Sequence, residues 1–160
     1  MRIWIYAALL AGALLPASAV LADDARDVPD RSYEFGEDWF SDHIPHWVQN
    51  LAQLKGRPGI RYLEIGPYEG RSFFWVIDHI LTHPTSRAVA IDIFWAEPGS
   101  VYEEGYEHRF RSNLLRSGAA ERVEVIKGSS QVEMRKLPLE SFDLIYIDGS
   151  HAANDVLTDA

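Results

Sequence analysis

The chain contains no cysteine, which excludes a disulfide framework, a cysteine nucleophile and a thiolate zinc site. No cluster of Lys and Arg occurs, and the formal net charge is -9. General nucleic-acid binders neutralise phosphates with a basic stripe, so nucleic acid is not expected as a partner. Internal repeats and low-complexity tracts are also absent. Methionine occurs only at Met1 and Met134, so an internal methionine start would remove the motifs described below. The remaining composition, 47% hydrophobic and 24% charged over 160 residues, is that of an ordinary globular domain. The length suits one domain and hardly two.

Residues 1–22 stand apart. Met1-Arg2 opens a short positive start, and an unbroken apolar run extends from Ile3 to Leu15. Ala17-Ser18-Ala19 and Val20-Leu21-Ala22 then offer small-residue cleavage sites before Asp23-Asp24. This is the pattern of a signal peptide, so the expected location is exported or secreted. Uncleaved, a segment of this length would anchor the chain in a membrane, with Arg2 inside. A wrongly assigned start would leave the protein cytoplasmic.

Residues 23–37 are polar and are expected to form a loose linker. From Asp38 to Leu54 apolar residues recur at helical spacing, and Pro45 is expected to break or kink that stretch. Four strands follow, over Ile60–Ile65, Ala88–Ile93, Val123–Ile126 and Phe142–Ile147. Helical spacing separates them at Ser72–Leu81, at Tyr102–Leu115 and before Pro138. Such alternation implies right-handed crossovers and a parallel sheet covered on both faces. In open sheets of this kind ligands bind beyond the carboxyl ends of the strands, where Gly66, Gly70, Asp92, Ser129 and Asp148 all fall.

The turn Glu64-Ile65-Gly66-Pro67-Tyr68-Glu69-Gly70-Arg71-Ser72 has two glycines. Lacking side chains, they let backbone approach a ligand, and amides at the helix start can face its polar atoms. Its glycine spacing does not meet the dinucleotide fingerprint. Asp92, 22 positions after Gly70, is placed to accept hydrogen bonds from ribose hydroxyls. His43 and His46 flank Pro45 without a third metal ligand and are expected at the surface. Phe94, Trp95 and Tyr102 either line an acceptor pocket or cover the end of the sheet. Asp155 and Asp159 suit a solvated helix face.

The run from about Trp47 to Ala160 resembles class I S-adenosylmethionine-dependent methyltransferases, in particular the small-molecule O-methyltransferase branch. The resemblance rests on four segments in order: Tyr62-Leu63-Glu64-Ile65-Gly66 with Glu69-Gly70-Arg71-Ser72, Ala90-Ile91-Asp92, Val125-Ile126-Lys127-Gly128-Ser129, and Phe142 to His151 ending in Ile147-Asp148-Gly149-Ser150-His151. It implies a Rossmann-like doubly wound α/β sheet with the first four strands in order 3-2-1-4. Glu64, Gly66 and Gly70 would hold the methionine part of the cofactor, with Ser72 at the helix start. Asp92 would bind the ribose, and Gly128 and Ser129 would lie beside the adenine. Asp148 would be a ligand in relatives that use a divalent metal such as magnesium. His151 would be the base that deprotonates a small-molecule hydroxyl, a task suited to a group titrating near neutrality.

The family's sheet has seven strands, so residues 38–160 are expected to form a partial domain whose fourth strand is an exposed edge open to self-association. Two other functions stay open. One is an exported, non-catalytic interaction module that keeps the nucleoside-binding half. The other is a nicotinamide-dependent oxidoreductase, disfavoured by the glycine spacing.

Overall fold

The computed structural model describes residues 5–6, 31–96 and 105–149. Apart from Ile5–Tyr6, the leader over residues 1–22 lies outside the described residues, as do Tyr102, His151 and the stretch bearing Asp155 and Asp159. Five parallel strands form one sheet: β1 (Ile5–Tyr6), β2 (Arg61–Ile65), β3 (Arg87–Asp92), β4 (Val123–Lys127) and β5 (Leu144–Ile147). Their order across the sheet is β1-β5-β2-β3-β4. The four strands anticipated from sequence thus take the order 3-2-1-4, in a Rossmann-like α/β arrangement.

Side-chain alternation divides the core between the two faces of the sheet. Tyr62, Ala88, Ala90 and Leu144 point to one face, where α1 (Ile44–Leu51), α2 (Arg71–His79) and α3 (Tyr106–Ser117) pack through Leu51, Phe73, Phe74, Ile77 and Phe110. Leu63, Ile65, Val89 and Ile91 point to the other. That face is covered by Met134, Leu137 and Phe142, which follow the short α4 (Ser130–Glu133).

Three expectations change. Pro45 neither breaks nor kinks its helix, because it occupies the first turn of α1. There a missing N–H costs no hydrogen bond and the fixed φ suits the helix. The fourth strand is not bare, since Ile5 and Tyr6 pair in parallel with Ile145 and Tyr146 and satisfy part of the edge backbone.

Residues 31–37 are not slack either. Tyr33 stacks on Phe74 with ring centroids 5.2 Å apart and donates its hydroxyl to Asp78 at 2.8 Å. Glu34 and Asn113 exchange two hydrogen bonds of 2.9 and 2.8 Å. Arg71 lies 4.4 Å from the Phe35 ring centroid. This strap wraps α2 and α3, and its polar composition serves specific partners rather than solvent.

Candidate functional site

The four longer strands end at one level. The Gly66 N–H donates to the Ile91 carbonyl at 2.8 Å, the Gly128 N–H to Asp92 at 2.9 Å and the Asp148 N–H to Ile65 at 2.9 Å. The ladder therefore continues one step past the strands and sets Asp148, Gly66, Asp92 and Gly128 side by side along one edge.

Between β2 and α2 the chain turns through Gly66 and Gly70, at φ of +75° and +89°. A Cβ on Gly66 would stand 2.5 Å from the Gly149 Cα and 2.6 Å from the Asp148 carbonyl oxygen. A Cβ on Gly70 would stand 2.2 Å from the Phe74 ring. Both distances are far inside van der Waals contact, so these positions require glycine for space as well as for φ. The first amides of α2 have no intrahelical acceptor and face this turn.

Below the turn, the Glu64 carboxyl is wholly buried and accepts from the Tyr62 hydroxyl and from Ser72 Oγ, the latter at 2.5 Å. Burial pushes its pKa up to about 8 against the opposing hydrogen bonds from Ser72 and Tyr62, and the nearby Asp148 and Asp92 add to the rise. Glu64 and Ser72 are thus brought together as a buried pair under the turn.

Asp92 is 8% exposed and its carboxylate is held from three sides. It accepts from the Phe94 N–H at 2.7 Å, the Tyr106 hydroxyl at 3.1 Å and the Tyr68 N–H at 3.1 Å. Burial raises its pKa and these hydrogen bonds oppose the rise. The Tyr68 contact ties the glycine turn directly to the end of β3. On the far side Gly128 is half-buried and Ser129 exposed at the start of α4. At the other end Asp148 is exposed and hydrogen-bonds Tyr146. Among the described residues no group of three or more His, Asp or Glu side chains could hold a metal ion. Asp148 therefore lacks the further ligands a divalent ion would need among the described residues.

A sequence profile described as a methyltransferase domain matches residues 63–160, a span that starts inside β2 and takes in every strand tip just described. This chain belongs to that methyltransferase family. The family is of the class I S-adenosylmethionine-dependent, O-methyltransferase-like kind. The catechol O-methyltransferase of Mycobacterium tuberculosis is 29% identical over 139 residues, covering 86% of this chain and 54% of that protein. Among solved structures, cofactor-bound Rv0187 from MTB aligns with a TM-score of 0.51 and 25% identity over 74% of this chain and 48% of its own. The precorrin-6y C5,15-methyltransferase of Geobacter metallireducens shares the fold, with a TM-score of 0.56 at 16% identity over 81% of this chain and 62% of its own. The chain spans about half the length of the curated relative it matches.

Several residues of this methyltransferase domain escape sequence reasoning. Tyr68, at a φ of +54°, places its ring between Trp39 at 5.2 Å and Tyr106 at 4.7 Å. Glu69, 1% exposed, pairs with Arg109 at 2.5 Å. A polar residue within an otherwise tight turn was the one available signal for Glu69, and nothing local pointed to Arg109. Of the aromatic residues after β3, Phe94 is buried against Tyr106 and Phe110, whereas Trp95 is 63% exposed at the rim. His43 and His46 are exposed, as expected.

Proposed function

We propose that this chain binds S-adenosylmethionine across the carboxyl ends of its strands and serves methyl transfer to a hydroxyl of a small molecule. The observation that carries this reading is the side-chain-free cradle at Gly66, hemmed by Asp148–Gly149, with Asp92 fixed beside it. The carboxyl of Glu64 feels the nearby Asp148 and Asp92, and the carboxylates of Asp92 and Asp148 favour a cationic group there. A sulfonium nucleoside that also bears an ammonium fits that charge.

When bound, S-adenosylmethionine supplies a methyl group from its sulfonium. The chain's own residues orient the two reactants, and for an in-line displacement such positioning provides much of the rate. Gly66 and Gly70 admit the ligand to the backbone, Asp92 accepts from its ribose hydroxyls, and Gly128 and Ser129 flank the adenine. His151 takes the proton of the acceptor hydroxyl. The catechol O-methyltransferase relative supports a small hydroxylated acceptor.

Calorimetric titration with S-adenosylmethionine, S-adenosylhomocysteine and NAD tests the reading. Binding of the first two alone is the expected result. Binding of NAD would instead favour an oxidoreductase, and no binding would favour an interaction module.

A further inference from the structure

The glycine turn is held by more than its own residues. Inside it, the Gly70 N–H donates to the Pro67 carbonyl at 2.7 Å, and Asp92 holds the Tyr68 amide from the β3 side. Beyond the regular helix bonding of α2, Glu69 and Arg71 reach the strap and α3. Glu69 Oε1 meets Arg109 Nη1 at 2.5 Å, and Glu69 Oε2 accepts from the Gly36 N–H at 2.5 Å. The Glu69 carbonyl accepts from Asn113 Nδ2 at 3.2 Å, and that same amide donates to the Glu34 carbonyl at 2.8 Å. Arg71 donates to the Glu37 carbonyl at 3.1 Å and lies 3.4 Å from the Asp38 carboxylate. Gly36 is packed so closely that a Cβ there would stand 2.9 Å from Arg109 and 3.1 Å from Glu69.

We propose that Glu69 is a positioning residue for the cofactor: it clasps the glycine turn to α3 through Arg109 and to residues 31–38 through the Gly36 amide. The proposal rests on the reading that the turn binds S-adenosylmethionine, and it adds a dependence that the strand tips alone do not suggest. Cofactor affinity is set in part by residues 31–38, which come ahead of the strands whose tips form the site. The physical reason is the burial of Glu69. A carboxylate in that position needs both partners to offset its desolvation, so losing either one releases the turn rather than merely weakening a surface contact. The ligand would then have to order the turn on binding, at a cost in affinity.

Binding of S-adenosylhomocysteine to the full chain, measured by calorimetry on Glu69→Gln and on the double variant Glu69→Gln/Arg109→Met, tests this alongside the wild type. The double variant removes the buried carboxylate together with its partly exposed cationic partner, so no charge is left buried and unpaired and its melting temperature is expected to stay near that of the wild type. Its affinity is nevertheless expected to fall about tenfold or more. Glu69→Gln alone should fall in the same direction. Hydrogen exchange provides a second readout that needs no variant, with the wild type expected to slow exchange in both the 66–72 and 31–40 segments when S-adenosylhomocysteine is added. Folded variants that bind like the wild type would overturn the proposal, as would protection of the turn without the strap. If the wild type itself binds no S-adenosylhomocysteine, the cofactor reading fails first and this inference fails with it.

Discussion

The two ends of this parallel sheet are built from different chemistry. At the carboxyl end stand Glu64, Asp92 and Asp148, with Gly66, Gly70 and Gly128 leaving backbone uncovered. At the amino end stand Arg61, Arg87 and Arg122 with Glu121 and Glu124, around an open cleft of about 310 Å³. Two of the arginines lining that cleft have guanidiniums already engaged with nearby backbone. Arg87 spends its guanidinium on the Pro84 and Ser86 carbonyls and Arg122 on the Leu81 carbonyl. The Leu81 carbonyl lies just beyond the end of α2, where the macrodipole favours a cation. At the carboxyl end the polar groups are instead held at fixed positions with accessible backbone between them. Preparedness distinguishes a site from a surface depression.

Substitutions at the two ends should separate them sharply. Gly66→Ala is expected to have the largest effect. Its Cβ would overlap the Gly149 Cα at 2.5 Å with φ already at +75°, destabilising the fold by about 2–5 kcal/mol. It should also abolish cofactor binding. Chemical denaturation and calorimetry on the same preparation would show both, and an alanine variant of normal stability would remove the distinction between the ends. Asp92→Asn comes next. Exchanging the acceptor-only carboxylate for an amide should weaken S-adenosylmethionine by about 10- to 100-fold, read as a change in the calorimetric dissociation constant.

Glu64→Gln sharpens the comparison through pH. The buried carboxyl titrates near 8 instead of 4.5, so the folded chain keeps a proton that the unfolded chain releases between those values. This contribution makes stability fall as pH rises from 4.5 to about 8, by up to ~1.4 kcal/mol per pH unit, and level off above. In Glu64→Gln that slope should flatten, as denaturant midpoints at several pH values would show.

The smallest effect is expected at the amino end. Arg61 lies 5.2 Å from the Phe142 ring centroid in an exposed cation–π contact. Arg61→Ala should change stability by about 1 kcal/mol or less and leave cofactor affinity where it was. A loss of affinity there would join the two ends energetically.

The sheet was legible in the sequence because each strand is a short apolar run closed by glycine or aspartate, and parallel pairing then brings those closures to one edge. Gly66 and Asp92 could be read this way because a strand end is a local property. Glu69 could not, since its meaning depends on Arg109, 40 residues away, and on the Gly36 amide 33 residues before it. Residues 31–37 look like linker because the charged and polar side chains that suit solvent also suit long-range hydrogen bonds. Tyr33 and Phe35 were the clue, for two aromatic rings are unusual in a slack tether. Pro45 was misjudged because a proline disrupts a helix interior yet fits its first turn, and the helix start was set a few residues too early.

Amide chemical shifts of the isotopically labelled chain, followed as S-adenosylhomocysteine is added, test the central claim most directly. Perturbations should concentrate at Gly66–Gly70, Asp92–Trp95 and Gly128–Ser129, three segments distant in sequence and adjacent only at the strand tips. Shifts centred on Arg61, Arg87 and Val123, or scattered without relation to that edge, would contradict it.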